Sequence, residues 1–484
     1  MKGLFENSNN LGFHNPYYLI KDGHLFIDKE LSSMLKSSHH KTLDFTAVVQ
    51  ILSTGYAFGD RTLVKEIKKT PWMAKPNLEN TDWDFFDLPK HNNKNIDERE
   101  SSKEFYRLLE QELIDYVMPH QHVGILLTGG MDSRIVAAVL HNLIQEGRLG
   151  EKKITAYTWG AAKSRDVVYA KRIADLLKWE WKHLIVDLDQ MKININLTLE
   201  NGCEFTPIHL HAMPKVGDEE LDCVLAGSFG DSIGRGEYSG IKVGNLGDLR
   251  QKVKNVGGML RDDFSKIIFD DCNKDVEFYH NKFPESENYQ QFEQDMQLHY
   301  MRRMLNPCMS IINKKIPLYQ MFSKPEVFGY IWSIDPRYRT DKIYQNLLEK
   351  YCPQLLEVPW ARTGLKFPET EGSPDIYDKN HHDYGEMIRS HYLKFIEEKI
   401  EEHKHIAAYI FNLKNIKKII LNCKKYPIKT SLSYEERLLW IALLLDFIKI
   451  NDLKIDLDKN LSTFSFNSLK EIYKYKLRFI LNKF

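Results

Sequence analysis

Residues 124–133 read GILLTGGMDS, and they place two glycines, a carboxylate and a hydroxyl at the end of an apolar run. His122 to Leu127 has the pattern of a strand buried on both faces. After it, Ile135, Val136, Val139, Leu140 and Leu143 recur at helical spacing, and Gly147 is a natural stop. Thr128 to Ser133 therefore forms a strand-to-helix turn. Gly-Gly alone is more often the mark of a tight strand-to-helix turn, with glycine there for steric reasons. The same glycines, Gly129 and Gly130, let a ligand approach the main chain. A helix N-terminus there offers unpaired N–H groups to a phosphate or pyrophosphate. Asp132 would repel that anion unless a divalent cation such as Mg²⁺ lies between them. No GxxxxGKS or GxxxxGKT is present, which excludes a P-loop, and the turn has no GxGxxG.

A second acidic residue sits in a second glycine-rich turn. Ala226 to Gly236 reads AGSFGDSIGRG, and Asp231 can converge with Asp132 on Mg²⁺ held against a triphosphate. Tyr157-Thr158-Trp159-Gly160 ends another apolar run, where a nucleotide-binding sheet would meet adenine. His209 and His211, in TPIHLHAMP, can line an acceptor pocket or serve as ordinary core or loop histidines.

These turns need a scaffold. Strand candidates HVGILLT, KITAYTW, HLIVDL and DCVLAGS alternate with helical stretches, notably DVVYAKRIADLLKW. That alternation predicts an α/β fold with a parallel sheet flanked by helices. A helix is expected over 104–118, and mostly helical patterns over 245–350. Residues 1–90 carry short strand-like runs, YYLI and HLFID, and form a small, mostly β N-terminal domain. Residues 75–103, polar and containing Pro76 and Pro89, read as a linker. Residues 104–400 form the nucleotide-binding domain, and 401–484 a Lys-rich helical C-terminal extension. Helix starts are expected at Ser433 and Ser468, with Glu436 and Glu471 completing capping boxes.

Bulk properties narrow the classes. Lys+Arg and Asp+Glu are both 67 in 484 residues, so no general affinity for polyanions follows, and a tRNA-modifying role is disfavoured. No nucleic acid partner is expected. No secretory signal is visible, and no stretch reaches the roughly 18 apolar residues of a membrane span. LLWIALLLDFIKI, broken by Asp446 and Lys449, reads as a core helix. The six cysteines are scattered and read as buried thiols of a cytoplasmic protein.

LTGGMDS resembles the SGGxDS pyrophosphate loop of N-type ATP pyrophosphatases, with Thr128 in place of the first Ser. The ordered motifs resemble the synthetase domain of the asparagine synthetase family over about residues 50–370. Asp166 to Ala170 resembles its DE-x-x-x-A helix start, GSFGDSIGRGEY its GEGxDExFGGY, and ARTGL its KTGF. Upstream, GYAFGDRTLVKEIKKTPWMA resembles the end of the family's glutaminase domain. The resemblance implies an adenine-nucleotide α-hydrolase-like fold that uses ATP and Mg²⁺. A substrate carboxylate is adenylated, pyrophosphate and then AMP leave, and ammonia or an amine takes the acyl group. It also implies roles. Leu126, Thr128, Gly129, Gly130, Asp132, Ser133, Thr158, Trp159, Gly160 and Gly227 border ATP and its pyrophosphate; Asp132 and Asp231 bind Mg²⁺. Arg362 or Lys366 supplies the cation at the departing pyrophosphate, and Ser228 joins His209 and His211 near the substrate.

The departures are informative. No cysteine precedes Cys203, so the N-terminal domain is a glutaminase remnant without its nucleophile. Ser228 replaces the Glu of GEGxD, and Arg362 the Lys of KTGF. The expected protein is an amide-forming, AMP-producing ligase without its own glutaminase, working in surface-polysaccharide or natural-product biosynthesis. A macrolactam or β-lactam-type cyclase of the same family is the alternative; a nucleotide-binding pseudoenzyme or scaffold is the alternative of another class. The basic C-terminal helices suggest peripheral membrane contact, and a partner protein or homodimer is open.

Overall fold

The computed structural model describes residues 3–261, 265–369, 371–425 and 433–455. Its central element is a five-stranded parallel sheet: β1 (His122–Leu126), β2 (Lys153–Trp159), β3 (Glu180–Leu184), β4 (Cys223–Ala226) and β5 (Leu318–Gln320). The order is β5-β4-β1-β2-β3. Val123 of β1 pairs with Ile154 of β2 on one side and Cys223 of β4 on the other. A strand enclosed on both faces must be almost continuously apolar, and β4 is buried at every residue.

Helices α1 (Glu98–Val117), α2 (Met131–Gln145), α3 (Arg165–Leu177) and α5 (Asp341–Tyr351) pack around the sheet, whereas α4 (Leu188–Glu200) sets Met191 and Ile195 into a second apolar core. Asp97, Ser164 and Asp187 cap α1, α3 and α4 through their side chains. Ile135, Val136, Val139, Leu140 and Leu143 are all buried, as their spacing requires. The α/β fold with a parallel sheet flanked by helices is therefore as the alternation of patterns predicts.

Several elements differ from the sequence reading. The third strand covers Glu180–Leu184 and stops short of most of HLIVDL. It is an edge strand, and its pairing runs out at Trp159↔Leu184, where β2 itself ends. Strand β5 lies in a stretch read as helical; three residues are too few to show a period. The stretch read as a linker contains a hairpin, Ala74–Asn77 with Asp82–Phe85, and α1 starts at Glu98.

The N-terminal residues form a three-stranded antiparallel sheet from Tyr17–Lys21, His24–Asp28 and Lys68–Lys69. Asp22 and Gly23 turn the hairpin with φ of 52° and 75°, the left-handed pair that a tight two-residue loop needs. The helix Phe45–Thr54 follows, capped by Asp44. Its Val48 and Leu52 share one apolar core with Leu438, Leu439 and Leu445 of α6 (Ser433–Ile450). Helix α6 contains the LLWIALLLDFIKI run and is buried for most of its length, as a core helix should be. Among the described residues no helix is long and apolar enough to cross a membrane. In Leu413–Lys425 the apolar Ile416, Ile419 and Ile420 face the core, so that stripe is already covered. Ser433 does begin a helix, but Glu436 accepts from Thr206 and bonds His209 instead of closing a capping box. Ser468, Glu471 and the rest of 456–484 lie outside the described residues. All six cysteines are buried thiols.

Candidate active site

The carboxyl ends of β1, β2 and β4 open onto a cleft of about 190 Å³ lined by Leu126, Thr128, Asp132, Ser133, Thr158, Trp159, Gly227 and Ser228, with Leu127, Tyr157 and Met309. Ligands of open α/β sheets sit at this edge. The turn between β1 and α2 is closed by its own side chains. Thr128 N–H donates to Ser133 Oγ (3.1 Å), and Gly130 N–H donates to Thr128 Oγ1 (3.1 Å). Thr128 thus organises the turn through both its backbone N–H and its hydroxyl. Gly130 is the N-cap of α2 and offers no side chain to the helix's first N–H groups. Those donors are free to face a pyrophosphate.

The glycines are needed for close approach. A Cβ at Gly129 would lie 2.9 Å from both Ala361 Cβ and the Arg165 carbonyl oxygen. A Cβ at Gly227 would lie 3.1 Å from the Asp132 carbonyl carbon and oxygen. Asp166, at the start of α3, accepts from Gly129 N–H; burial raises its pKa, while His381 (3.8 Å away) and that bond pull it back. Gly160 has φ of 128°, and a Cβ there would lie 2.7 Å from the His381 carbonyl oxygen. So Trp159 lines the cleft, while Gly160 lies under the chain around His381.

Asp132 and Asp231 are brought together. Burial and the neighbouring charge of Asp132 push the Asp231 carboxyl up to about 7, against the pull of Arg235. Asp132, which lines the cleft, and Asp231 beside it offer the oxygen donors that suit a hard divalent cation, so the residues fit Mg²⁺ with a polyphosphate supplying the further ligands. The surprise is Arg235. Its buried guanidinium donates from Nε to Asp132 Oδ1 and from Nη1 to Asp341 Oδ1, each at 3.2 Å. Glu237 lies 4.0 Å from it. The sequence reading places GRGEY in a glycine-rich turn that resembles GEGxDExFGGY and assigns no role to Arg235; its one local signal is two opposite charges beside Asp231.

The two candidate cations separate. Ala361 N–H donates to the Gly129 carbonyl (3.1 Å), which sets the ARTGL loop against the turn Thr128–Ser133. Arg134 holds it there by donating to the carbonyls of Gly129, Leu355, Val358 and Pro359. Arg362, the next residue, pairs with Glu237 and lies over the Trp360 ring, 4.6 Å from its centroid. Lys366 instead pairs with Glu357 on the surface (2.5 Å). The histidines separate too. His209 binds Glu436 of α6 (2.8 Å), away from the cleft. His211 stacks on Trp159, with ring centroids 5.7 Å apart, and its Nδ1 meets the Tyr384 hydroxyl at 2.8 Å. His381 and His382 complete this cluster and were not singled out from sequence.

Residues 104–242 match the asparagine synthase family. That segment carries β1 to β4, the turn Thr128–Ser133, Asp132 and Asp231, and the match supports ATP-dependent amidation or ligation in general. No curated protein matches the chain. Among solved structures, the chain is similar to the U34-tRNA thiolase NcsA of Methanococcus maripaludis at 14% identity and a TM-score of 0.22, covering 48% of this chain and 82% of that one. It is also similar to the NMN synthetase of Francisella tularensis at 12% identity and a TM-score of 0.20, covering 52% and 97%. Scores this low carry no functional argument.

Proposed function

We propose that the protein adenylates a carboxylate with ATP, releases pyrophosphate, and passes the acyl group to ammonia or an amine with loss of AMP. The observation that carries this reading is the turn Thr128–Ser133: an uncapped helix start at the cleft, beside two carboxylates that fit Mg²⁺. When bound, Mg²⁺ would supply charge neutralisation between Asp132, Asp231 and the polyphosphate. The first backbone N–H groups of α2, from Met131 onward, orient the pyrophosphate, and Trp159 and Leu126 border the adenosine. Arg362, next to the residue that touches Gly129, balances charge as pyrophosphate departs. Positioning and electrostatics carry most of such a reaction.

The absence of cysteine from residues 1–202 supports an amine drawn from solution rather than from glutamine hydrolysis. A sugar acid or natural-product precursor is the carboxylate class we favour, and the N-terminal sheet is read as a glutaminase remnant. The test is calorimetric titration with Mg²⁺ and α,β-methylene-ATP, followed by nucleotide analysis during turnover. Binding should be abolished by Asp132→Asn and by Asp231→Asn while the chain still folds, with a lowered melting temperature for Asp132→Asn because it weakens the pairing of the buried Arg235. Accumulation of ADP in place of AMP would overturn the mechanism.

A further inference from the structure

Arg235 is the unusual member of the site. It is 2% exposed, and its two nitrogens engage Asp132 and Asp341. Its guanidinium lies 5.4 Å from the Trp360 ring centroid and 5.9 Å from that of Tyr344. An arginine so placed stays charged and has little room to leave. The neighbouring cations Arg362 and Lys242 are both committed to Glu237. Arg235 is therefore the cation that compensates Asp132.

We propose that Arg235 makes metal binding conditional on nucleotide: it neutralises Asp132 before ATP arrives, so a divalent cation gains this carboxylate only together with the polyphosphate. The inference rests on the reading of Thr128–Ser133 as a pyrophosphate turn. A metal ion alone must compete for Asp132 against a buried charge that is already in place. A metal ion with ATP does not face the same balance, because the polyphosphate brings negative charge and further oxygen ligands. Without Arg235, Asp132 loses the buried cation that compensates it, and a divalent cation on its own meets less competition for this carboxylate.

The experiment is Mn²⁺ binding to the full chain, read by the electron paramagnetic resonance of free Mn²⁺, with and without α,β-methylene-ATP. Arg235→Gln should bind Mn²⁺ alone about tenfold more tightly than wild type, and Asp132→Asn in that background should remove the gain. With the analogue present, wild type and variant should bind Mn²⁺ within about threefold of each other. Equal affinities without nucleotide would overturn the proposal and leave the site reading intact. Failure of wild type to bind Mn²⁺ even with the analogue would overturn the site reading, and this proposal with it. Should Arg235→Gln not fold, Arg235→Lys serves. One ammonium cannot span both Asp132 and Asp341, so Mn²⁺ alone should bind more tightly than to wild type, and unchanged affinity would overturn the proposal.

Discussion

Arg362 Nη2 stands 2.5 Å from Glu237 Oε1, joining a half-exposed cation to a carboxylate that is 3% exposed. Burial would raise the Glu237 carboxyl, but Arg362, Arg235 and Lys242 together hold it below its ordinary value. Glu237 thus fixes the guanidinium one residue beyond the contact with Gly129. Lys366, paired with an exposed Glu357, has no comparable anchor. Arg362→Ala should weaken Mg²⁺–α,β-methylene-ATP binding about tenfold, and Lys366→Ala by less than about twofold. Calorimetry on both variants decides, and the reverse order would move the cation to Lys366.

The histidine cluster predicts acid sensitivity. Burial first, then the neighbouring histidines, push His211 well below its ordinary value, and His382 to about 4. In the unfolded chain both take up protons near pH 6.5. The unfolded state therefore binds more protons, and stability present above about pH 6.5 is lost as pH falls toward 4. His382→Gln should show a smaller drop in melting temperature than wild type between about pH 7 and 5. Parallel melting curves across that range would refute it.

The sequence is most legible where the chemistry is contiguous. Thr128 to Ser133 and the strands around them declare themselves by local pattern, since a strand, two glycines and a helix start need no distant partner. Arg235 was missed because its significance is a pairing with Asp132, 103 residues away, and with Asp341, 106 residues away. His209 and His211 look alike in TPIHLHAMP, yet one turns to α6 and the other to Trp159. Strand β5 is invisible for a different reason: Leu318 to Gln320 is a strand only because β4 offers it an edge. Edges and ion pairs are tertiary facts, whereas a turn is a local one.

Gly227 packs its backbone on the first turn of α2. Besides the Asp132 carbonyl group, a Cβ there would lie 3.1 Å from Ser133 Cα, and none of these atoms belongs to a side chain that can swing away. Gly227→Ala should therefore displace the pyrophosphate turn from β4, weakening analogue binding about tenfold or more and costing about 1–3 kcal/mol of stability. Thermal melting and calorimetry on one preparation test both. An alanine variant with unchanged affinity would show that the turn adapts and that the close approach is not functional.

Arg134 separates architecture from chemistry. It is fully buried, and its Nη atoms reach Gly129 O (3.2 Å), Leu355 O (3.0 Å), Val358 O (2.6 Å) and Pro359 O (2.8 Å). Those carbonyls belong to the turn after β1 and to the segment 355–359, and the arginine is the donor they share. Arg134→Met keeps much of the aliphatic stem but strands carbonyl oxygens without a donor. Buried unsatisfied acceptors cost about 1–3 kcal/mol each, so the loss should exceed about 3 kcal/mol unless the loop opens to water. If it opens, Arg362 moves with it, and analogue affinity falls while the melting temperature falls less. Both outcomes contrast with Asp132→Asn, which should remove binding while residues 355–366 keep their wild-type resistance to protease. Limited proteolysis around residues 355–366 distinguishes a loosened loop from a globally weakened fold. Arg134→Met that melts, binds and resists protease as wild type does would show that the loop is held by Ala361 and its neighbours alone.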